Sequence, residues 1–519
     1  MIQRVTAHVG VWPEAIQGVN SWLYFDRKRA PSEMASEIRA FFDDVLPRDP
    51  VELVVLYTRG WAADFNDPDT DFDPEDHTSF DRDYAVKQAA ELADTIMQDA
   101  QMLDRTLRRL VTTNANSVFG FARKLAEIAP DPVALFEEAL RIAETQTVPA
   151  NDQFVRGMIA GAEQGNAEWA RECIRVALRS PKLKDRAVSV ISSGTLRPED
   201  LDLVASLLRS GDVEPWQCAT LSYGRGFDHF APAQIVPLLE ELGQQGARGL
   251  WAALDIITMY LHGGRSLAPH LAQQLKQVIL DPELLNGLER STMDAYHLEQ
   301  AVRTLLQARH VDRSFASALL RQLLGICRRS NFDVFYALDN HVKIIVGLLL
   351  PLYPKEVWQQ AAKVLTSRDW HVRFHAEHLF EPSDEGHLGG GLLSHLPSKI
   401  YLPWVRKAPS ERAHIFLKWL PITETRDGSL VWSTQVEDYL NEFANQPGVL
   451  DELTRRLRPK GWWGSVVPHL EPLVPLLETS AQSHTLPAVA RWAREQLKFI
   501  SAEISSERKR DDERSAGIR

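Results

Sequence analysis

Three histidines sit close enough to share a ligand. His371, His375 and His378 fall at i, i+4 and i+7, with Glu377 between the last two and His387 and His395 following. Imidazoles one helical turn apart can hold zinc. Zinc hydrolases place their pair in H-E-x-x-H or H-x-x-E-H spacing, and this run has neither. A helical metal-dependent hydrolase centred on His371, His375 and His378 is therefore one alternative reading. An acidic stretch, Asp64–Asp83, holds nine carboxylates against Arg82 alone. Its Asp67-x-Asp69-x-Asp71 start resembles a calcium loop, but Phe72 stands where glycine is needed and Thr78 where a bidentate Glu is needed. It reads as an insertion or a partner-binding acidic loop. The glycine cluster Gly386–Leu392 lacks the strand and the following basic helix start of a phosphate cradle. It reads as a flexible connection. No G-x-x-x-x-G-K-[ST] loop and no G-x-S-x-G elbow occurs. No catalytic residue, metal or cofactor is assigned, and the balance leans away from an enzyme.

The better candidates are for binding. Trp462 and Trp463 stand between Gly461 and Gly464, just after Arg455, Arg456, Arg458 and Lys460. Tryptophan and arginine dominate interface hot spots, so these six residues form the expected partner-binding surface. The bland alternative is that the fourteen tryptophans wedge between helices. Other basic clusters, Arg105/Arg108/Arg109, Arg321/Arg328/Arg329 and Arg508–Arg510, are interleaved with acids and read as solvated faces.

Such residues need a scaffold. The chain has 519 residues, 58 Lys+Arg against 70 Asp+Glu and a net charge of −12. With 44% hydrophobic and 25% charged residues it has ordinary globular composition. The acidic balance argues against a broad grip on nucleic acid, which needs clustered cations, although a local basic stripe is not excluded. Cys173, Cys218 and Cys327 offer no C-x-x-C pair and suit a reducing compartment. The N-terminus lacks the basic-then-apolar order of a signal peptide. The most apolar run, Ile344–Leu350, is far short of the roughly 20 residues that cross a bilayer. The expected setting is the cytoplasm of a bacterium-like cell, away from the membrane. The oligomeric state is not set by the sequence.

Helical periodicity recurs along most of the chain. Ile235, Leu238, Leu239 and Leu242 share one helix face, with Glu240 and Glu241 opposite. Comparable runs are predicted at about 84–111, 116–129, 131–145, 151–163, 334–350, 401–407 and 466–478, among others. Val51–Tyr57 looks β-like but is read as a helix, because Asp49-Pro50 supplies an N-cap and an N1 proline. Asp131-Pro132, Arg197-Pro198, Asp281-Pro282, Tyr353-Pro354 and Leu402-Pro403 each open a segment. The predicted fold is all-α: an α-solenoid of stacked antiparallel helical hairpins, HEAT- or armadillo-like. Its expected parts are N-terminal helices at 1–63, an acidic loop at 64–83 and a degenerate repeat array at 84–380. A Gly-rich linker at 381–398, C-terminal repeats at 399–510 and a polar tail at 511–519 follow.

Two stretches resemble known families. Ser367–Leu379 resembles the second helix of a HEAT repeat. The resemblance implies that Asp369 caps the helix, that Val372, Ala376 and Leu379 face the core, and that Arg373 ties neighbouring repeats. Val466–Leu477 followed by Leu486–Leu497 resembles a looser copy. Residues 400–510, through Trp404, Trp419-Leu-Pro421, Trp432, Gly461-Trp-Trp-Gly-Ser465 and Trp492, resemble the C-terminal helical repeats of bacterial anti-phage STAND-type NTPases. In that family the repeats are the sensor or scaffold and the enzyme lies N-terminal. The resemblance implies a non-enzymatic protein-binding module of a defence system, or the C-terminal fragment of a split NTPase whose catalytic domain is on another chain.

Overall fold

The computed structural model describes residues 11–61, 64–70, 83–262, 264–286, 293–328, 335–381, 388–459 and 461–516. The architecture is all-α, with helices of about a dozen residues joined by short turns. Among the described residues the strands are Thr423–Arg426 and Ser429–Trp432, one antiparallel hairpin. The chain divides into two compact units, Met1–His262 and Gly263–Arg519.

Each unit is built by the same rule. In the first, Tyr84–Met97 packs on Phe119–Ile128, which packs on Asp152–Gly165, which packs on Ala187–Ile191. The alternate helices form a second row: Pro50–Arg59, Ala100–Leu110, Pro132–Glu144 and Ala167–Arg179. In the second unit, Pro269–Leu280, Arg313–Leu324, Pro354–Leu365 and Ser398–Lys407 make one row. Asp294–Gln307, Asp339–Leu349 and Trp370–Phe380 make the other. Each helix meets the next but one along the chain, which is the packing of a helical-repeat solenoid.

The sequence explains where the helices begin. Asp49 accepts from Val51 N at 3.0 Å, Asp131 from Ala134 N at 3.0 Å and Asp312 from Phe315 N at 2.8 Å. Each satisfies an orphan donor of the first turn. Pro50, Pro132, Pro198, Pro232 and Pro354 occupy first helical positions. Two expected openings differ. Asp281-Pro282 leads into a turn, and Pro403 lies inside Ser398–Lys407, a helix that already starts at Ser398. The run predicted at 84–111 is two helices, because Asp99 accepts from Gln101 N and Met102 N and so starts a new one. The run predicted at 466–478 breaks after Leu470, and its second helix begins at Leu473, after Pro472.

The most extensive helix contact in the first unit runs through glycines. A Cβ on Gly161 would lie 2.1 Å from Arg123 O, and one on Gly157 2.5 Å from Phe119 O. The backbones of Asp152–Gly165 and Phe119–Ile128 therefore touch, and any side chain there must push these two helices of one row apart. Helix Trp370–Phe380 bears out much of its expected design. Asp369 accepts from His371 N at 2.9 Å, and Val372, Ala376 and Leu379 are buried. Arg373 differs: it donates to Ser367 O at 2.6 Å and Arg368 O at 3.1 Å, fastening its own entry turn.

Two predictions follow from this packing, both read from unfolding midpoints. Gly161→Ala destabilises by about 1–3 kcal/mol through overpacking, whereas Gly243→Ala, at a site open for 4 Å around, is neutral or stabilises by about 0.4–1 kcal/mol. Leu379→Ala costs about 2–5 kcal/mol as a cavity, and Asp369→Ala about 1 kcal/mol as a lost cap. Unchanged midpoints for Gly161→Ala and Leu379→Ala would contradict the packing described.

Candidate interaction surface

Helix Val449–Leu457 turns Val449, Leu453 and Leu457 inward. Arg455 points the other way, with a side chain 64% exposed, and reaches Glu452 at 2.7 Å. Glu452 is only 5% exposed, so the guanidinium is the group seen from outside. Arg458, just beyond the helix, pairs with Glu503 on the long helix Pro487–Ser515. Cations in a last turn also complement the helix dipole. The chain then runs through Gly461 to Gly464, whose φ of +79° makes a turn that suits glycine. At its tip Trp462 is 46% exposed and Trp463 100% exposed. Val466, Val467 and Leu470 return the chain to the core.

Of the six expected residues, Arg455, Arg458, Trp462 and Trp463 lie on the surface, and Lys460 lies outside the described residues. Arg456 is buried. It donates to Lys418 O and, at 2.7 Å, to Gly389 O, and burial draws its guanidinium down to about 10. Burial also pushes the Glu452 carboxyl up, against the pull of Arg455, Lys418 and Arg456. The spacing held the signal: Arg456 is i+7 from Val449 and i+3 from Leu453, on the apolar face, while Arg455 is not. Gly389 belongs to the glycine cluster expected as a flexible connection. Its described part is tied down, since Gly391 N donates to Trp419 O and Ile422 N to Leu388 O.

The histidines do not converge. His375 is buried, with Nδ1 3.2 Å from Cys327 O and its ring stacked on Phe335 at 4.2 Å. His378 Nε2 lies 3.2 Å from Asp339 Oδ2, and His371 sits beside the Trp370 ring. Glu377 pairs with Lys418 at 2.7 Å instead of facing an imidazole. Among the described residues no three His, Cys, Asp or Glu side chains come together as metal ligands. His387 lies outside those residues. In the acidic stretch, Asp67 accepts from Asp69 N and Thr70 Oγ1, while Arg27 donates to Pro68 O and Asp69 O and Arg39 pairs with Asp69. Those carboxylates shape a turn; Asp71, Asp73, Glu75, Asp76 and Asp81 lie outside the described residues. The three cysteines are buried thiols pushed up to about 12 by burial, a state in which they are poor nucleophiles. No described helix is long and apolar enough to cross a membrane.

Other tryptophans divide between the two roles. Trp419, Trp432 and Trp492 are buried, with Trp432 Nε1 donating to Ser480 Oγ at 2.7 Å and Trp492 Nε1 to Thr454 Oγ1 at 2.8 Å. Trp61, Trp216 and Trp370 are exposed, Trp370 stacked on Phe374 at 5.4 Å. Sequence reasoning did not single out that pair, although its i, i+4 spacing on one helix was visible.

Removing Arg456 leaves the Lys418 and Gly389 carbonyls without this donor, while Glu452 keeps Arg455. Arg456→Ala is expected to cost about 1–3 kcal/mol for each buried acceptor left unsatisfied, and Arg456→Met less than Arg456→Ala, because the longer side chain fills the space. Urea unfolding followed by circular dichroism measures both. An Arg456→Ala loss below about 0.5 kcal/mol would place Arg456 among ordinary surface residues.

No protein-family model matches the sequence, and no curated protein matches it. Several solved structures are similar, two of them over nearly the whole chain. One is the crystal structure of Kap121p, at 13% identity and TM-score 0.37, covering 96% of this chain and 49% of that one. This chain thus spans about half the length of Kap121p. The other is a circular tandem repeat protein with novel repeat topology and enhanced subunit contact surfaces, at 14% identity and TM-score 0.18, covering 97% and 98% of the two chains. The all-α repeat assignment rests on the two rows of helices within each unit.

Proposed function

We propose that this chain is a non-enzymatic protein-binding scaffold of HEAT-like repeats, and that its partner docks on Trp462, Trp463, Arg455 and Arg458. The observation that carries the reading is the full exposure of Trp463 beside half-exposed Trp462. Leaving an indole in water forgoes the largest apolar burial any side chain offers, and a partner recovers it. The helices before and after the loop, Val449–Leu457 and Leu473–Ser483, both pack on Pro487–Ser515, so little order is lost on docking. The sequence motifs of nucleotide hydrolysis and nucleophilic catalysis are missing, which favours binding over the hydrolase reading. The sensor role in a bacterial anti-phage system, and the split-NTPase variant of it, rest on the resemblance of residues 400–510 alone.

The test is affinity capture from the host, with and without phage challenge, comparing wild type with Trp462→Ala/Trp463→Ala. The expected result is a specific partner lost in the double mutant while its circular dichroism is unchanged. A phage-dependent partner supports the defence role. A folded double mutant that keeps every partner removes this surface from consideration.

A further inference from the structure

We propose that a groove between two neighbouring helices of the second unit binds a small organic acid, with the carboxylate on Lys276 and the apolar body over Phe315, Leu280 and Ala318.

The groove lies between Pro269–Leu280 and Arg313–Leu324, successive helices of one row. Its walls follow from helix phase. Gln273, Lys276, Gln277 and Leu280 fall at i, i+3, i+4 and i+7 on the first helix, and Ser314, Phe315 and Ala318 line the facing side of the second. The groove encloses about 370 Å³. Ligand pockets run from roughly 300 to 1,000 Å³, so this one is scaled to a single small molecule.

Charge selects the ligand. Lys276 Nζ stands 5.5 Å from the centroid of the Phe315 ring, and that ring is buried. Among the described residues no carboxylate pairs with Lys276. An ammonium carries three donors, and a ring face attracts its charge without accepting all three. Gln273, Gln277 and Ser314 add exposed hydrogen-bonding groups around it. Asp312 is the opposing charge, at the helix start, where it accepts from Phe315 N at 2.8 Å.

Direction decides which way the ligand lies. Lys276 meets Phe315 and, further along both helices, Asp281 O accepts from Gln322 Nε2 at 2.7 Å, so the two helices run in parallel. Asp312 therefore stands at the Gln273 end, and Leu280 and Ala318 form the uncharged end. A carboxylate on Lys276 places its apolar body away from Asp312. A cationic ligand would meet the Lys276 ammonium in the same groove. An inorganic anion would leave Phe315, Leu280 and Ala318 uncovered.

The test uses the full chain and phenylbutyrate, followed by ligand-observed NMR, with phenylbutylamine and inorganic phosphate as comparison probes. Phenylbutyrate is expected to bind saturably, more weakly as salt rises. Lys276→Gln should weaken it about tenfold, the worth of one hydrogen bond to a charged group, and Lys276→Arg should retain most of the binding. Ala318→Leu narrows the uncharged end and should also weaken it, with circular dichroism unchanged. Lys363→Gln, at a lysine outside the groove, should change nothing. Trp462→Ala/Trp463→Ala should leave phenylbutyrate binding intact, so this result is separate from that of the docking surface. Absence of saturable phenylbutyrate binding, equal binding of the amine or of phosphate, or undiminished binding to folded Lys276→Gln would each overturn the proposal.

Discussion

A single helix of a dozen residues does not keep its shape in water. The whole molecule depends on that limit. Its helices carry apolar residues on too wide a stripe for one neighbour to cover, so each packs on the next but one as well as the next. The contact of Asp152–Gly165 with Phe119–Ile128 shows how far this goes: two glycines face the Ala122 and Ala126 methyls and the backbone carbonyls of Phe119 and Arg123. Helix Tyr84–Met97 uses Ala85, Ala89 and Ala93, all fully buried, for the same close approach in the same row. Small residues at four-residue spacing therefore set the distance between successive repeats, and larger ones fill the layer between rows.

Polar stitching then fixes the register. Asp200 accepts both Arg171 contacts at 2.7 Å, Arg209 donates to buried Glu241 at 2.7 Å, and Arg313 reaches Glu356 at 2.9 Å. Glu299 takes Arg303 and His341 at 2.8 Å each. In several of these pairs the carboxylate is buried and the cation is outside. Burial alone would raise an acid, but Glu299 is held below the usual carboxylate range by its Arg303 and His341 partners. Such pairs contribute little net stability against an apolar replacement. Their consequence here is at the surface, where an acidic chain shows arginines.

Much of the fold was legible because its signals are local. Asp49-Pro50, Asp131-Pro132 and Asp369 mark helix starts by chemistry confined to one turn, and the structure places caps at all three. Errors arose where two local signals competed. Asp99 sits inside a run of helical periodicity, and its side chain stops one helix and starts the next. Asp427-Gly428, both at positive φ, closes the hairpin Thr423–Trp432, a turn signal that a search for long periodicity passes over. The candidate surface was half legible. Trp462 and Trp463 announce themselves by flanking glycines, whereas Arg456 was grouped with its neighbours by charge although its helical phase puts it inside.

That burial of Arg456 links scaffold to surface. Its guanidinium bridges the carbonyl of Lys418, at the end of Pro409–Leu417, and that of Gly389, sixty-seven residues away in sequence. One side chain thus fastens two segments that precede the hairpin, the glycine cluster and the end of Pro409–Leu417, to the helix that bears Arg455. An alkyl side chain could fill the space but could not satisfy two carbonyls, and a lysine could not span them with a planar fork. The exposed Arg455 is therefore carried on a helix that buried Arg456 fastens to two other segments. A helix fastened in this way is ordered before any contact, so the docking proposed on Arg455 spends no free energy on arranging it.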